Sequence, residues 1–291
     1  MAATGSIALR KMNGLGNDFA VLDLRGRARQ FSPQEVRRIC DRARGVGCDQ
    51  MIALEASPSG ADTFMRIWNS DGGEVEACGN AMRCVASVLA QEQGRSGVTI
   101  ETAAGVLGAS VNADGSVTVD MGRPRFRWDE IPLSEEFHDT RGIELQIGPI
   151  DDPVLHTPSV VNIGNPHCIF WVDDLEPHDL SKIGPLLESH PLFPERANIS
   201  LAQVTADDAI TLKVWERGAG LTRACGTAAC AVVPAAHRKR LTGRTVTVTL
   251  PGGPLNIEWR ESDDHILMTG PSELEYEGVL DPALLEMEQA T

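Results

Sequence analysis

Cys78 and Cys225 occupy matching points of two stretches that align without a gap at an offset of 147 residues, WNSDGGEVEACGN from Trp68 to Asn80 and WERGAGLTRACGT from Trp215 to Thr227. Each cysteine is followed by a glycine, a small polar residue and then apolar residues at helical spacing, which places each at the start of a helix. If the two halves face each other, the two thiols converge on one cleft. Such a pair suits one reaction type, in which a proton leaves one face of a carbon and another returns from the opposite face.

The chemistry rests on what a helix start offers. Backbone N–H groups of Gly79 and Asn80, and of Gly226 and Thr227, point out of the first turn beside partial positive charge. They can bind a carboxylate, and they favour thiolate over thiol. Thiols at such positions fall from about 8.5 to roughly 3.5–7.5, which makes a usable base near neutrality. Glycine lets an anion approach the main chain closely, and two opposed helix ends would stabilise the charge that develops when an alpha carbon loses its proton. No cofactor is needed for such a scheme.

The elements that position these residues repeat as well. TFMRIW (Thr63 to Trp68) matches ITLKVW (Ile210 to Trp215) in the alternation of a half-buried strand, and VTIETAAG from Val98 corresponds to TVTVTLPG from Thr245. NGLGNDFAVLDL from Asn13 resembles NIGNPHCIFWVDDL from Asn162, with Asn17 opposite Asn165. Matches in one order along the chain point to an internal duplication, with a period far too long for a solenoid. Met82, Val85, Ala86 and Leu89 recur at helical spacing until Gly94, so Cys78 precedes a helix of about three to four turns. In the second copy Pro234 is expected to end or kink the helix. Further candidates are SPQEVRRICDRARG, with Ser32 as N-cap, Pro33 at the first helical position and Gly45 at the end, and DLEPHDLSKIGPLLESH, interrupted by Gly184 and Pro185. The proline-rich stretch from Arg123 to Pro158 has no counterpart in the repeat and is expected to connect the domains. The expected organisation is an N-terminal repeat domain at residues 1–128, a C-terminal repeat domain at 146–278 and a tail at 279–291 packing back on the first domain.

Composition sets the outer limits. A chain of 291 residues with 42% hydrophobic content is ample for two cored domains. No run of apolar residues is long enough to span a bilayer, and the N-terminal MAATGSIALRKMNG lacks the apolar core of a secretory signal. Seven cysteines form an odd set with no CxxC pair, which argues against a disulfide framework or a zinc ribbon and fits a reducing cytoplasm. The net charge of −15 disfavours nucleic acid and anionic membrane as partners. A small zwitterionic substrate is unaffected by that balance, since its fate depends on a few local groups.

Taken singly, most of these residues have plainer readings. A free cysteine is ordinarily a small buried hydrophobe, which is the reading for Cys40, Cys84, Cys168 and Cys230. Asn17, Asn69, Asn165 and Asn198 could each serve a turn, Glu216 and Arg217 a surface ion pair, and His167 a loop. Asn69 and Glu216 are matched positions directly after the two tryptophans, and Asn17 and Asn165 are matched too, which argues for function. Together, GLGNDF at 14–19, GCDQ at 47–50, NSDG and ACGN within 69–80, GNPHC at 164–168, WERG at 215–218, ACGT at 224–227 and PGG at 251–253 resemble the diaminopimelate epimerase family along nearly the whole chain.

The resemblance implies an α/β (α+β) fold of two pseudo-symmetric domains, each with strands wrapped around a central helix. It implies a cofactor-independent, metal-free isomerase that interconverts LL- and meso-diaminopimelate by a two-base thiolate/thiol mechanism, on the route to lysine and peptidoglycan. Members are usually cytoplasmic or plastid-borne, and several are homodimers. Carried over by position, Cys78 and Cys225 become the acid/base pair, and Gly79, Asn80, Gly226 and Thr227 the main-chain donors to the reacting carboxylate. Asn17, Gln50 and Glu216 would hold the ammonium near the reacting carbon, and Asn69, Asn165, Asn198 and Arg217 the distal amino-acid head. His167 and Glu216 would adjust the thiol pKa values. The chain departs from the family pattern at Ala81 and Ala228, where glycine is usual, at Leu221, where an acidic residue is expected before Thr222, and at Asn13, where histidine is common. Racemases of proline or hydroxyproline share the paired-thiol idea, but their substrates have one amino-acid head and would leave Asn69, Asn198 and Arg217 without work. A thiol redox sensor or amino-acid-binding module would explain the cysteines and leave WERG and both anion sites idle.

Overall fold

The computed structural model describes residues 6–76 and 78–285. The chain divides into two compact units, one built from the described residues up to Val119 together with those from Pro271 on, the other from Asp120 to Gly270. The first contains β1 (Ala8–Gly14), β2 (Asn17–Asp23), α1 (Pro33–Cys40), β3 (Gln50–Glu55), β4 (Thr63–Asn69), β5 (Glu74–Val75), α2 (Gly79–Gln93), β6 (Gly97–Thr102), β7 (Gly105–Val111) and β8 (Val117–Asp120), the last residue of which opens the second unit. The second continues with β9 (Gln146–Ile147), β10 (Leu155–His156), β11 (Ser159–Asn162), β12 (Pro166–Trp171), α3 (Leu180–Glu188), β13 (Asn198–Ala206), β14 (Ala209–Glu216), β15 (Gly220–Thr222), α4 (Gly226–Arg238), β16 (Thr245–Leu250), β17 (Gly253–Trp259) and β18 (Ile266–Gly270).

Each unit has the same wiring. In the first, β1–β2 is antiparallel, β2–β3 parallel, β3–β4 antiparallel, β4–β6 parallel, and β6–β7 and β7–β8 antiparallel. In the second, β11–β12, β12–β13, β13–β14, β14–β16, β16–β17 and β17–β18 repeat that series in order and sense. The long helices α2 and α4 are apolar on nearly every side, and Met82, Val85, Ala86, Leu89, Ala229, Val232 and Val233 are all fully buried, as a helix enclosed by strands requires. Alternation in β4 buries Met65 and Ile67 against the core and leaves Phe64 and Arg66 half-exposed.

Tertiary context overrides several local signals. α1 starts as expected, with Ser32 and Glu35 forming a reciprocal capping box, but it stops at Cys40, where the Asp41 carboxylate accepts from the N–H groups of Ala43 and Arg44 and turns the chain. Gly45 is needed by that turn, since a Cβ there would lie 2.0 Å from the Arg38 carbonyl oxygen. α3 and α4 run without interruption through Gly184–Pro185 and through Pro234. For α4, burial of both flanking turns outweighs the one N–H that proline cannot donate.

The stretch from Arg123 to Pro158 is not a bare connection: Ile131, Leu133, Ile143, Leu145 and Leu155 enter the apolar core of the second unit beside Phe170, Leu187 and Leu201. The alternation of Ile131 with Leu133 and of Ile143 with Leu145 carried that information. The final described strand, β19 (Glu273–Val279), pairs antiparallel with β1 inside the first unit, which resumes at Pro271, so residues 271–278 leave the range expected of the second domain. Residues 286–291 of the expected tail lie outside the described residues.

Gly184 carries a stability prediction. Its backbone lies on the Trp215 ring, and a Cβ would sit 2.4 Å from Trp215 Cγ and 2.5 Å from Cδ2. Gly184→Ala is therefore expected to destabilise the protein by about 1–3 kcal/mol through overpacking, although alanine is favoured over glycine in a helix by about 1 kcal/mol. Urea titration reads this as a lower midpoint; an unchanged or higher midpoint refutes the close packing.

Candidate active site

In the first unit Cys78 is the N-cap of α2, with extended φ −146° and ψ 111° and no side-chain cap bond. The helix ladder begins only at Met82, whose N–H reaches the Cys78 carbonyl at 3.0 Å, so the N–H groups of Gly79 and Asn80 belong to the helix end. Two polar side chains gather beside the half-buried thiol. Asn17, the first residue of β2, accepts at Oδ1 from Cys78 Sγ at 3.9 Å and from Asn80 Nδ2 at 3.4 Å. Gln50 and Asn69 face each other across β3 and β4, and Gln50 Nε2 donates to Asn69 Oδ1 at 2.8 Å. Gln50 Oε1 is buried without a hydrogen-bond partner among the described residues, an acceptor suited to an ammonium group.

The second unit repeats the plan with different chemistry. Cys225 is the N-cap of α4, at φ −127° and ψ 105°, and is buried. Thr227 Oγ1 lies 3.5 Å from its sulfur and 3.4 Å from Asn165 Nδ2. Asn165 Oδ1 meets His167 Nε2 at 2.8 Å. Because a carbonyl oxygen only accepts, His167 carries its proton on Nε2, and its buried Nδ1 has no partner among the described residues. Asn198 and Glu216 occupy the registers that Gln50 and Asn69 hold in the first unit. Glu216 accepts from the Thr222 hydroxyl, and its charge acts on the nearby Cys225 thiol. Asn198 Oδ1 accepts from the Arg217 N–H at 2.9 Å, and Arg217 Nη1 donates to the Glu195 carbonyl at 2.9 Å, leaving the rest of the guanidinium fork for a carboxylate. Leu221, where an acid was expected, is exposed, and Thr222 alone serves Glu216 from that turn.

Burial raises the Cys225 thiol well above its ordinary value, and the neighbouring Glu216 charge adds to the effect. Burial likewise pushes the Glu216 carboxyl up. Cys225 therefore rests as a thiol, with the Glu216 carboxyl nearby. Burial, with the Arg217 charge, lowers His167 to about 3, so the ring is neutral at physiological pH.

That depression gives a pH prediction. The unfolded chain binds a proton on His167 near 6.5, the folded chain only near 3, so stability complete above the first value is lost as pH falls toward the second. The loss at pH 5.5 relative to pH 7.5 is expected on the order of 1 kcal/mol, and it should vanish in His167→Gln. Glu216 acts with the opposite sign, its contribution present at low pH and lost as pH rises, so the comparison is between the two proteins. Equal pH slopes of the urea midpoint in both would rule out a buried neutral His167.

Some supporting residues were not anticipated. Glu188, at the end of α3, accepts from Trp215 Nε1 at 2.7 Å, Gly218 N at 2.9 Å and Arg196 Nη1 at 3.1 Å, and so pins the turn that carries Glu216 and Arg217. An acid in the last helical turn opposes the helix dipole, which was the available signal. Lys11 is buried on the same strand face as Leu9 and bonds to the Asp18 carboxylate and the Gly47 carbonyl. Cys40, Cys84, Cys168 and Cys230 are all buried. Burial pushes Cys84 up to about 12, and Cys168 further, which keeps both inert as acids. Among the described residues no cluster of three or more His, Cys, Asp or Glu side chains is arranged to hold a metal, and no helix is long and apolar enough to cross a membrane.

Comparison with known proteins shows the family. The family model described as diaminopimelate epimerase matches residues 9–127 and 159–275, one segment for each copy of the repeat. A protein of Brucella anthropi named diaminopimelate epimerase is 57% identical over 278 residues, covering 95% of this chain and 92% of its own. One of Rhodopseudomonas palustris with the same name is 57% identical over 286 residues, covering 98% and 97%. Among solved structures, a hydroxyproline epimerase from Agrobacterium vitis with bound trans-4-hydroxy-L-proline superposes with TM-score 0.68 at 16% identity, covering 97% of this chain and 95% of its own. A predicted epimerase from Pseudomonas aeruginosa gives 0.65 at 18% identity, covering 95% and 99%. At those identities the two structures speak for the fold alone.

Proposed function

The chain belongs to the diaminopimelate epimerase family, and on that premise we propose that it interconverts LL- and meso-2,6-diaminopimelate without a cofactor, in the formation of lysine and peptidoglycan precursors. The observation that carries the reading is the matched pair of N-cap cysteines, each at the head of the enclosed helix of its unit. One sulfur, as thiolate, takes the proton from the alpha carbon; the other, as thiol, returns one to the opposite face, and the roles exchange in reverse. The reaction requires both sulfurs to reach one carbon. The N–H groups of Gly79, Asn80, Gly226 and Thr227 bind the reacting carboxylate and stabilise the charge spreading into it from the carbon.

Asn17, Gln50 and Glu216 hold the adjacent ammonium, and the partnerless Gln50 oxygen supports this role. Asn69, Asn165, Asn198 and Arg217 take the distal amino-acid head, with Arg217 on its carboxylate. Glu216 tunes Cys225 directly, and His167 acts through Asn165 and Thr227. A small-molecule substrate, a cytoplasmic site of action and the absence of nucleic-acid or membrane partners fit the same reading. Light scattering distinguishes monomer from homodimer.

The test is reduced protein with LL-diaminopimelate in D2O, followed for stereoisomer and alpha-deuterium together. Meso product carrying deuterium at the inverted carbon is expected. Absence of both inversion and exchange in folded, reduced protein overturns the proposal and turns attention to proline-type substrates.

A further inference from the structure

The two equivalent asparagines beside the cysteines are turned in opposite senses, and the groups that turn them differ. In the second unit the His167 N–H fixes the Asn165 oxygen, so the amide nitrogen faces Thr227 and, through it, Cys225. In the first unit the orienting group is a carboxylate. Asp49 Oδ2 accepts from Asn17 Nδ2 at 3.1 Å and from the Asp18 N–H at 3.2 Å, while Asp49 Oδ1 accepts from Arg42 Nη2 at 2.6 Å. Since the Asp49 oxygen that faces Asn17 also accepts from the Asp18 N–H, the Asn17 nitrogen faces Asp49 and its oxygen faces Cys78 and Asn80.

Asp49 is itself held. Its N–H donates to Asp18 Oδ1 at 3.0 Å, its carbonyl accepts from the Ser70 N–H at 3.1 Å, and Arg42 bridges Asp49 to Asp18. Burial raises the Asp18 carboxyl, but Arg42 and Lys11 outweigh that and hold it well below the usual range, so the anchor stays ionised.

We infer that Asp49 is a positioning residue that fixes the Asn17 amide with its oxygen toward Cys78, presenting that thiol with an acceptor where Asn165 presents its nitrogen toward the Cys225 side. The inference rests on the proposed acid/base role of Cys78 and assigns to this reaction a residue that never touches the substrate. An acceptor beside sulfur stabilises the thiol against the thiolate. The charged groups around Asn17 are Asp49, Asp18, Arg42 and Lys11, and along its own helix the charged group nearest Cys78 is the buried Arg83, followed by the buried Cys84.

The experiment measures alkylation of Cys78 by iodoacetamide against pH, with the site read by peptide mass spectrometry, beside kcat and KM. In Asp49→Ala the Asn17 amide is free to turn its nitrogen to sulfur. The Cys78 midpoint is then expected to fall by about one pH unit, with alkylation near neutrality up to about tenfold faster, and kcat is expected to fall more than KM rises. Asp49→Asn keeps one oxygen for Asn17 and the Asp18 N–H, its nitrogen displacing only the exposed Arg42, so it should restore most of the wild-type profile. In Asn17→Ala the mediator is gone, and adding Asp49→Ala should shift the profile no further. A wild-type alkylation profile in Asp49→Ala overturns the inference, as does an equal shift in the alanine and asparagine variants or a further shift in the double variant. Circular dichroism and urea midpoints verify that each variant is folded. The alkylation readout needs no turnover, so inactivity toward diaminopimelate would sink the proposed function while this result still stood or fell alone.

Discussion

Serine at position 78 or 225 is expected to lower epimerisation by about 10²–10⁴-fold, the range for losing a positioned acid or base, with the fold intact. A hydroxyl is isosteric enough to keep the N-cap but far too weak an acid to exchange a proton with a carbon. The two variants should also fail differently. Each retains one sulfur, which can remove the alpha-proton from one stereoisomer and return solvent deuterium to the same face. Cys78→Ser should therefore wash deuterium into one diaminopimelate isomer without inverting it, and Cys225→Ser into the other. Exchange of both isomers by one variant, or a rate near wild type, would exclude two bases and leave a single base working on both faces.

The second large effect belongs to Arg217. Its side chain makes one described hydrogen bond, to the Glu195 carbonyl, and its backbone is fixed by Asn198, so under the proposed role the rest of the guanidinium takes the distal carboxylate. Arg217→Met should cost about 2–4 kcal/mol of substrate recognition, or roughly 30–1000-fold in kcat/KM. A contact made equally in ground and transition states appears in KM, so most of the loss should be there. Lysine, which is diaminopimelate without the distal carboxylate, supplies the control. The wild-type preference for diaminopimelate over lysine should collapse in Arg217→Met, because the variant no longer reads the missing group. A preference that survives the substitution would move the distal carboxylate to other donors.

The cysteine prediction uses residues that the chain announces by repetition. A match between WNSDGGEVEACGN and WERGAGLTRACGT is enough to place both cysteines on equivalent helices, because a duplicated strand–turn–helix must fold alike in both copies. The register that sets Gln50 opposite Asn69 and Asn198 opposite Glu216 follows from the same repeat. What lay hidden was whatever a second element decides. Whether a helix survives proline depends on what encloses it, and α4 is enclosed all round. Whether Arg123 to Pro158 links or packs depends on the core waiting for Ile131 and Ile143. Asp49 reads as an ordinary surface acid until folding brings Asn17 to it, and Glu188 shows only as an acid at the wrong end of a helix until the Trp215–Gly218 turn reaches it. Their partners lie tens of residues away along the chain, beyond the reach of any local pattern.

The pairing of β1 with β19 sets the order in which this protein can be finished. Ala8 meets Val279, so the first unit contains both the earliest and the latest described strands, and the second unit is complete by Gly270. On the ribosome, the unit begun first is therefore completed last. Until the final strand emerges, β1 has only β2 beside it and its other edge offers unpaired N–H and C=O groups, the template through which nascent chains mispair. The long sequence separation of that closing contact makes it a slow step. Loss of a few residues from the C-terminal strand would leave both cysteines present in a protein whose first half cannot close its sheet.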